Sequence, residues 1–343
     1  VKSNDYASRF VETPEKLREY FEYQFQASFS DCGNLGYSIS SSRYMLAVGK
    51  VREIAMAEIG RKLTEQIATG RWGLVTNWAT LQVTGLAGAY DQLIARLRVV
   101  DVKGSTIRLQ CNIFRLDENG HMERVAGVEQ ETTWVRVIGH GQVSPAPLPE
   151  YFSHFLNKFE FGSDDGQVRP LFFNSSSTRL VYTSPAELKD GVVLNSEIFR
   201  TSLEDSNLVG NVYYANYFSW QSRVLNAYLY SVAPELVQHG HHAGEPLCTK
   251  SRLIYLRDAM PFDRVLVEMA LETLWDNGLL LKFSYYRVLS DDSTQKLAVG
   301  EQEIVWSKQN EKGQITPMLL PGILVSSLQR EIQHKVSGHS VFG

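Results

Sequence analysis

Two stretches of the chain carry apolar residues at three- and four-residue steps, and each is followed by four stretches rich in β-branched and aromatic residues. In the second half Tyr214, Tyr217, Phe218, Gln221, Val224, Leu225, Tyr228, Leu229 and Val232 share the helical spacing, which builds one apolar face and predicts a helix over Val212–Val232. Its start is a small, polar, Gly-containing run, Asn207–Asn211, suited to a tight turn. The first N–H groups of a helix lack partners, so the space before it suits a thioester carbonyl or a phosphate. In the first half Tyr44, Val48, Val51, Ala55 and Ile59 predict one helix from Arg43 to about Gln66, with Ser40, Ser41 and Ser42 as candidate caps. A strand precedes each helix, Tyr20–Phe29 and Leu194–Leu203. Strands follow at Trp72–Val83, Leu93–Val102, Thr106–Leu116 and Val125–Ile138, and again at Leu247–Leu256, Val265–Leu274, Leu279–Leu289 and Leu297–Val305. One strand, a long helix and an antiparallel run of strands is an α+β unit with a helix laid on a sheet.

The two units match in residues as well as in pattern. Val125–Trp134 lies over Leu297–Trp306, and Asp91 over Asp263, at an offset of 172. Asn34 over Asn207, Tyr44 over Tyr217 and Thr76 over Thr249 share an offset of 173. A near-constant offset across five elements predicts a tandem duplication. The organisation that follows is one unit over 1–140, a structured linker over 141–192, a second unit over 193–316, and a helix and tail over 317–343. The linker contains Pro145, Pro147 and Pro149 and an amphipathic piece near Tyr151–Phe161.

Composition narrows the partners. The 343 residues are 43% hydrophobic and 21% charged with a net charge of −4, which suits a soluble protein and gives a polyanion nothing to hold. No basic run interleaved with aromatics points to nucleic acid, no apolar stretch has membrane-spanning length, and Val1–Asp5 is unlike a signal peptide. Scattered cysteines at Cys32, Cys111 and Cys248 fit a reducing, cytoplasmic setting.

Candidate chemistry is sparse. His239, His241 and His242 sit in a Gly-rich loop without a Cys or carboxylate at ligand spacing, so the expectation is a solvated loop and no metal. No nucleophile elbow, phosphate-binding loop or dinucleotide fingerprint occurs, and no cofactor is expected. Arg52 is the informative residue, a cation among Met45, Val48, Gly49, Ala55, Met56 and Ile59. Such a side chain either reaches to the helix flank and pairs with Glu53 or Glu58, or is aimed into a pocket where it stabilises an oxyanion or a carboxylate. Tyr44 lies about 80° round the helix from it, so both can border one cavity, although an isolated helical Tyr also suits the core. Asn34 and Asn207 precede the two helices, as turn residues or as hydrogen-bond donors beside the helix start. Asparagine is no base, so hydrolysis there would rest on positioning and oxyanion stabilisation.

The run Asn207-Leu-Val-Gly210-Asn211-Val-Tyr-Tyr-Ala-Asn-Tyr217-Phe-Ser-Trp-Gln-Ser-Arg223, with Ala233-Pro234, Thr249, Phe262-Asp263 and Val299-Gly300-Glu301-Gln302, closely resembles the hot-dog thioesterases of enediyne polyketide biosynthesis. The resemblance covers most of the second half and implies, for the whole chain, a double hot-dog fold. It also implies hydrolysis of a polyketide acyl thioester on an acyl carrier protein, beside a polyketide synthase, by a site without a catalytic carboxylate. That family uses an Asn in the turn, a Tyr in the first helical turns and an Arg eight residues later. In the second half these positions hold Asn207, Tyr217 and Leu225, so the Arg is missing; in the first they hold Asn34, Tyr44 and Arg52, with Gly49 in register. The resemblance therefore implies a catalytic set of Arg52, Tyr44 and Asn34, with Asn207, Tyr217, Asn211, Gly210 and Thr249 binding substrate. The tandem layout is also similar to double hot-dog acyltransferase/decarboxylases of leinamycin-type pathways, in which Tyr44 would be acylated from a coenzyme A thioester. A dehydratase and a non-catalytic acyl-binding protein complete the alternatives, as an intramolecular pseudo-dimer or a higher homo-oligomer.

Overall fold

The computed structural model describes residues 8–33, 38–139, 141–163, 191–238, 244–309 and 315–336. The first half runs β1 (Ser8–Glu12), β2 (Arg18–Gln26), α1 (Ser41–Ala55), α2 (Gly60–Ile67), β3 (Trp72–Val83), β4 (Gln92–Lys103), β5 (Thr106–Leu116), β6 (Met122–Gly139), β7 (Gln142–Pro145) and α3 (Glu150–Leu156). The second half runs β8 (Val192–Arg200), α4 (Ala215–Val232), α5 (Pro234–Gln238), β9 (Glu245–Tyr255), β10 (Arg264–Trp275), β11 (Gly278–Val288), β12 (Thr294–Gln309), β13 (Ile315–Pro317) and α6 (Gly322–Val336).

All described strands join one antiparallel sheet in the order β1-β2-β4-β5-β6-β3-β9-β12-β11-β10-β8, with β7 on β6 and β13 on β12. From β2 to β8 the order is a mirror about the β3–β9 seam, with β1 added at one edge. There Ala79 faces Leu253 and Thr80 faces Arg252. An offset of 173 carries Ala79 onto position 252 and Thr80 onto position 253, so the seam exchanges equivalent residues and a pseudo-twofold axis passes through it. Each long helix buries its apolar face on its own half of the sheet: Tyr44, Met45, Val48 and Val51 from α1, and Phe218, Val224, Leu225 and Leu229 from α4.

Several sequence expectations shift for local reasons. The single helix expected over Arg43–Gln66 breaks at Met56, whose N–H is shared between the carbonyls of Arg52 and Glu53 before a 3-10 turn over Ala57–Ile59. Glu58 in that turn is held by Arg18 at 2.5 Å and by Lys158, which pulls the chain off the helical path. The second helix begins at Ala215 rather than Val212: the Asn211 carbonyl, which would accept the first bond of the longer helix, accepts from the Asn207 N–H of the turn instead. Ser40 does occupy the N-cap of α1, but its hydroxyl meets Ser42 and caps no amide. Strand β1, absent from the sequence reading, pairs with β2 at one edge.

Candidate functional site

The turn before α4 is closed on itself. The Asn207 side-chain oxygen accepts from the Val209 N–H at 2.8 Å, and the Asn207 carbonyl accepts from the Gly210 N–H at 2.9 Å. Gly210 has φ of +91°, a left-handed conformation that glycine adopts freely. The side-chain Nδ2 of Asn207 makes no hydrogen bond among the described residues, so it remains a free donor. Beyond the turn, Tyr213 and Tyr214 reach across to α1 of the other half. Tyr214 donates to the Met45 carbonyl at 2.8 Å, and Tyr213 donates to Glu53 Oε1 at 3.1 Å. Both rings fit because residue 49 is glycine: a Cβ there would lie 1.8 Å from the Tyr213 hydroxyl and 3.1 Å from that of Tyr214.

Between these tyrosines and α1 stands Arg52, 7% exposed. The Tyr214 ring centroid is 5.2 Å from its guanidinium carbon, a cation–π contact. Its Nε and Nη1 are buried without a hydrogen-bond partner, and among the described residues it forms no ion pair. Glu58 is already taken by Arg18 and Lys158, and the one hydrogen bond given to Glu53 comes from Tyr213. Leaving a charged donor unsatisfied in the interior costs several kcal/mol, on the order of 3–5 where a partner has been removed. Burial pushes the Tyr213 hydroxyl far above its ordinary pKa; the charge and a hydrogen bond of Arg52 oppose that shift and Glu53 adds to it, so of the guanidinium nitrogens only Nε and Nη1 stand unpartnered.

Arg52 lines a cavity of about 590 Å³ between the halves, within the usual range for small-molecule sites. Its lining mixes apolar side chains, Leu46 of α1, Met56 at the end of α1, Leu63 and Ile67 of α2 and Leu74 of β3, with polar ones, Lys50, Arg52, Glu53, Asn207 and Tyr213. An acyl chain suits the first set and a carbonyl or anion the second.

The structure regroups the residues that the sequence singled out. Arg52 of the first half shares its cavity with Asn207 of the second, whereas Asn34 lies outside the described residues. Tyr44 lines a separate cavity of about 300 Å³ with Tyr23, Ile39 and Leu93, so the shared Tyr44–Arg52 cavity is not formed, although Leu46 and Lys50 border both spaces. Tyr44 is 2% exposed, and burial drives its hydroxyl pKa far up, which opposes nucleophilic use. Tyr44→Phe is accordingly expected to keep thioester turnover within about threefold of the parent, measured as kcat; a loss of 100-fold would return Tyr44 to the chemistry.

Tyr217 is a core residue rather than a substrate contact: its hydroxyl accepts from the Ala259 N–H, and its ring packs on Trp220, Tyr255 and Tyr285. Thr249 donates to Glu303 within the sheet. Asn211 is buried beside Asp258, whose carboxyl is pushed up by burial and partly restored by the Asn211 hydrogen bond. Gly210 shapes the turn. The sequence reading passed over Tyr213 as a site residue and weighed Glu53 only as a partner for Arg52. Their signal was a glycine inside α1 opposite the Tyr-Tyr pair.

No group of three or more metal-ligating side chains stands together among the described residues, and His239, His241 and His242 lie outside them. No described helix is long and apolar enough to cross a membrane. All three cysteines are free.

No family model matches the sequence, and no curated protein matches it. Solved structures do. A 12:0-ACP thioesterase from Umbellularia californica superposes with a TM-score of 0.58 at 10% identity, over 83% of this chain and 93% of that one. A candidate oleoyl thioesterase from Lactobacillus plantarum gives a TM-score of 0.57 at 13% identity, over 84% of this chain and 96% of that one. The dynemicin thioesterase aligns with 40% of this chain and 96% of its own at 27% identity, with a TM-score of 0.37. The first two likenesses, spanning both halves, show the fold: α+β, of the hot-dog thioesterase type.

Proposed function

We propose that this chain is an acyl-thioester hydrolase acting on a polyketide or fatty acyl chain held on a carrier protein, in the cytoplasm and beside a polyketide synthase. We read it as a double hot dog with units 1–140 and 193–316 joined by 141–192, and a helix and tail over 317–343. The observation that carries the function is Arg52, a buried guanidinium with unpartnered nitrogens on the wall of a half-apolar cavity. As a thioester carbonyl is attacked, charge develops on its oxygen, and a fixed cation in a poorly solvated place stabilises that charge more than it stabilises the ground state. Asn207 Nδ2 supplies a neutral donor to the same carbonyl or to the attacking water, and the apolar side chains of the lining, among them Leu63, Ile67 and Leu74, take the chain. Thioesterase neighbours of the same fold, named for an acyl-ACP and an oleoyl substrate, support the substrate class.

The test is to incubate the protein with a β-ketoacyl carrier protein and with a saturated acyl carrier protein, and to follow free acid by mass spectrometry. Release well above the buffer rate is expected. A stable acyl adduct on the intact protein would instead establish transfer chemistry. Retention of the acyl carrier complex without turnover would favour a binding protein, a reading motivated by Leu225, which stands where the second half would need its arginine.

A further inference from the structure

We infer that Glu53 is the general base of this cavity, held in place by Tyr213 from the other half of the chain. The inference rests on the hydrolase reading and alters one part of it, the absence of a carboxylate. Glu53 is the one carboxylate among the described residues lining the cavity. Tyr213 fixes one of its oxygens at 3.1 Å, and the second oxygen has no hydrogen-bond partner among the described residues. The side chain is solvent-exposed at the cavity wall, so water reaches that free oxygen. Tyr213 is seated against Gly49 and kept as a phenol by burial, so it acts as a fixed donor that orients the carboxylate and does not itself titrate in the working range.

The opposite pocket offers an internal comparison. An offset of 173 carries Arg52 onto Leu225 and Glu53 onto Asn226. Both the oxyanion cation and the base are thus absent from the equivalent positions of the second half's helix, where the cation of α4 is Arg223 over the Phe199 ring, and the two are adjacent in the first. That pairing supplies one pocket with both a cation for the oxyanion and a base for the water. In the step, Glu53 takes a proton from water as its oxygen bonds to the thioester carbon, and the carbonyl oxygen becomes an oxyanion against Arg52. Collapse breaks the C–S bond, and the proton passes from Glu53 to the leaving sulfur. Free acid and free thiol result, with the carboxylate restored.

Two nucleophiles separate this role from a structural one. Parent protein, Glu53→Gln and Tyr213→Phe are each given a β-ketoacyl or saturated acyl carrier protein, in water alone and with hydroxylamine. Hydroxylamine attacks thioesters without needing a base. Glu53→Gln is expected to lose about 100-fold in kcat for acid release with KM within about threefold, yet to keep most of the hydroxamate formation above the protein-free rate. Tyr213→Phe is expected to show the same split at about 10-fold. Parallel loss of acid and hydroxamate in Glu53→Gln would assign Glu53 to binding or folding and overturn the inference. Parent-like acid release by Glu53→Gln would overturn it while leaving the hydrolase reading standing. A parent protein that raises neither acid nor hydroxamate above the protein-free rate would remove the hydrolase reading, and the base with it.

Discussion

Arg52→Met is expected to lose about 100- to 1,000-fold in thioester turnover and to unfold at a higher temperature than the parent. The first effect follows from the role proposed for Arg52, a cation that meets the oxyanion. The second follows from burial. Arg52 is 7% exposed with two unpartnered nitrogens, and a cation–π contact of about 1–2 kcal/mol does not offset the desolvation of a charged group. Methionine fills similar volume, carries no charge and suits the neighbouring Leu46 and Met56. Replacing buried ionic groups by well-packed apolar ones is neutral to stabilising by about 1–4 kcal/mol. Thermal unfolding and a kcat measurement on one preparation check both halves of the expectation. A variant that is inactive and also markedly destabilised would mean that Arg52 is a satisfied structural group. One that is stable and fully active would remove Arg52 from the chemistry.

Gly49→Ala is expected to destabilise the protein by about 1–3 kcal/mol, the range for an over-packed core, and to lower turnover about 10-fold. The sign is the informative part. In an unobstructed helix interior, Ala is favoured over Gly by about 1 kcal/mol. Here the new methyl would lie 1.8 Å from the Tyr213 hydroxyl and 2.9 Å from its Cζ, so the ring must leave its seat and release Glu53. Tyr213→Phe removes the closest clashing atom. In that background the cost of Gly49→Ala should shrink, a coupling that a double-mutant cycle reads directly by chemical denaturation. Equal cost in both backgrounds would place the strain elsewhere. Stabilisation by Gly49→Ala would show that the tyrosine side chain moves aside freely.

Much of the fold could be read along the chain. The expected strands Trp72–Val83 and Thr106–Leu116 coincide with β3 and β5, because β-branched and aromatic runs bounded by turn residues leave little choice. Arg52 was legible for a related reason, as a charge on an apolar helix face. The grouping of Tyr44 with Arg52 was not sound in three dimensions. Rotation about the helix sets them only about 80° apart, but eight residues also separate them by about 12 Å along the axis, enough to put them in different cavities. Nor could periodicity show that the arginine of one half meets the asparagine turn of the other. That exchange depends on the register of the β3–β9 seam, which runs from Trp78 opposite Ile254 to Gln82 opposite Lys250, residues far apart in the chain. The break at Met56 escaped for the same reason, since it is tied to Lys158 and Arg18 from distant parts of the chain.

The seam also has a consequence for behaviour in solution. In a protein assembled from two separate chains, a cavity at their junction vanishes as dilution passes the dissociation constant, and specific activity falls with it. Here β3 and β9 belong to one polypeptide, so Arg52, Glu53, Asn207 and Tyr213 are brought together by an intramolecular equilibrium that no dilution shifts. Turnover per chain should hold constant down to whatever scarcity a cell imposes, and the two ends of the site must always be synthesised in equal number.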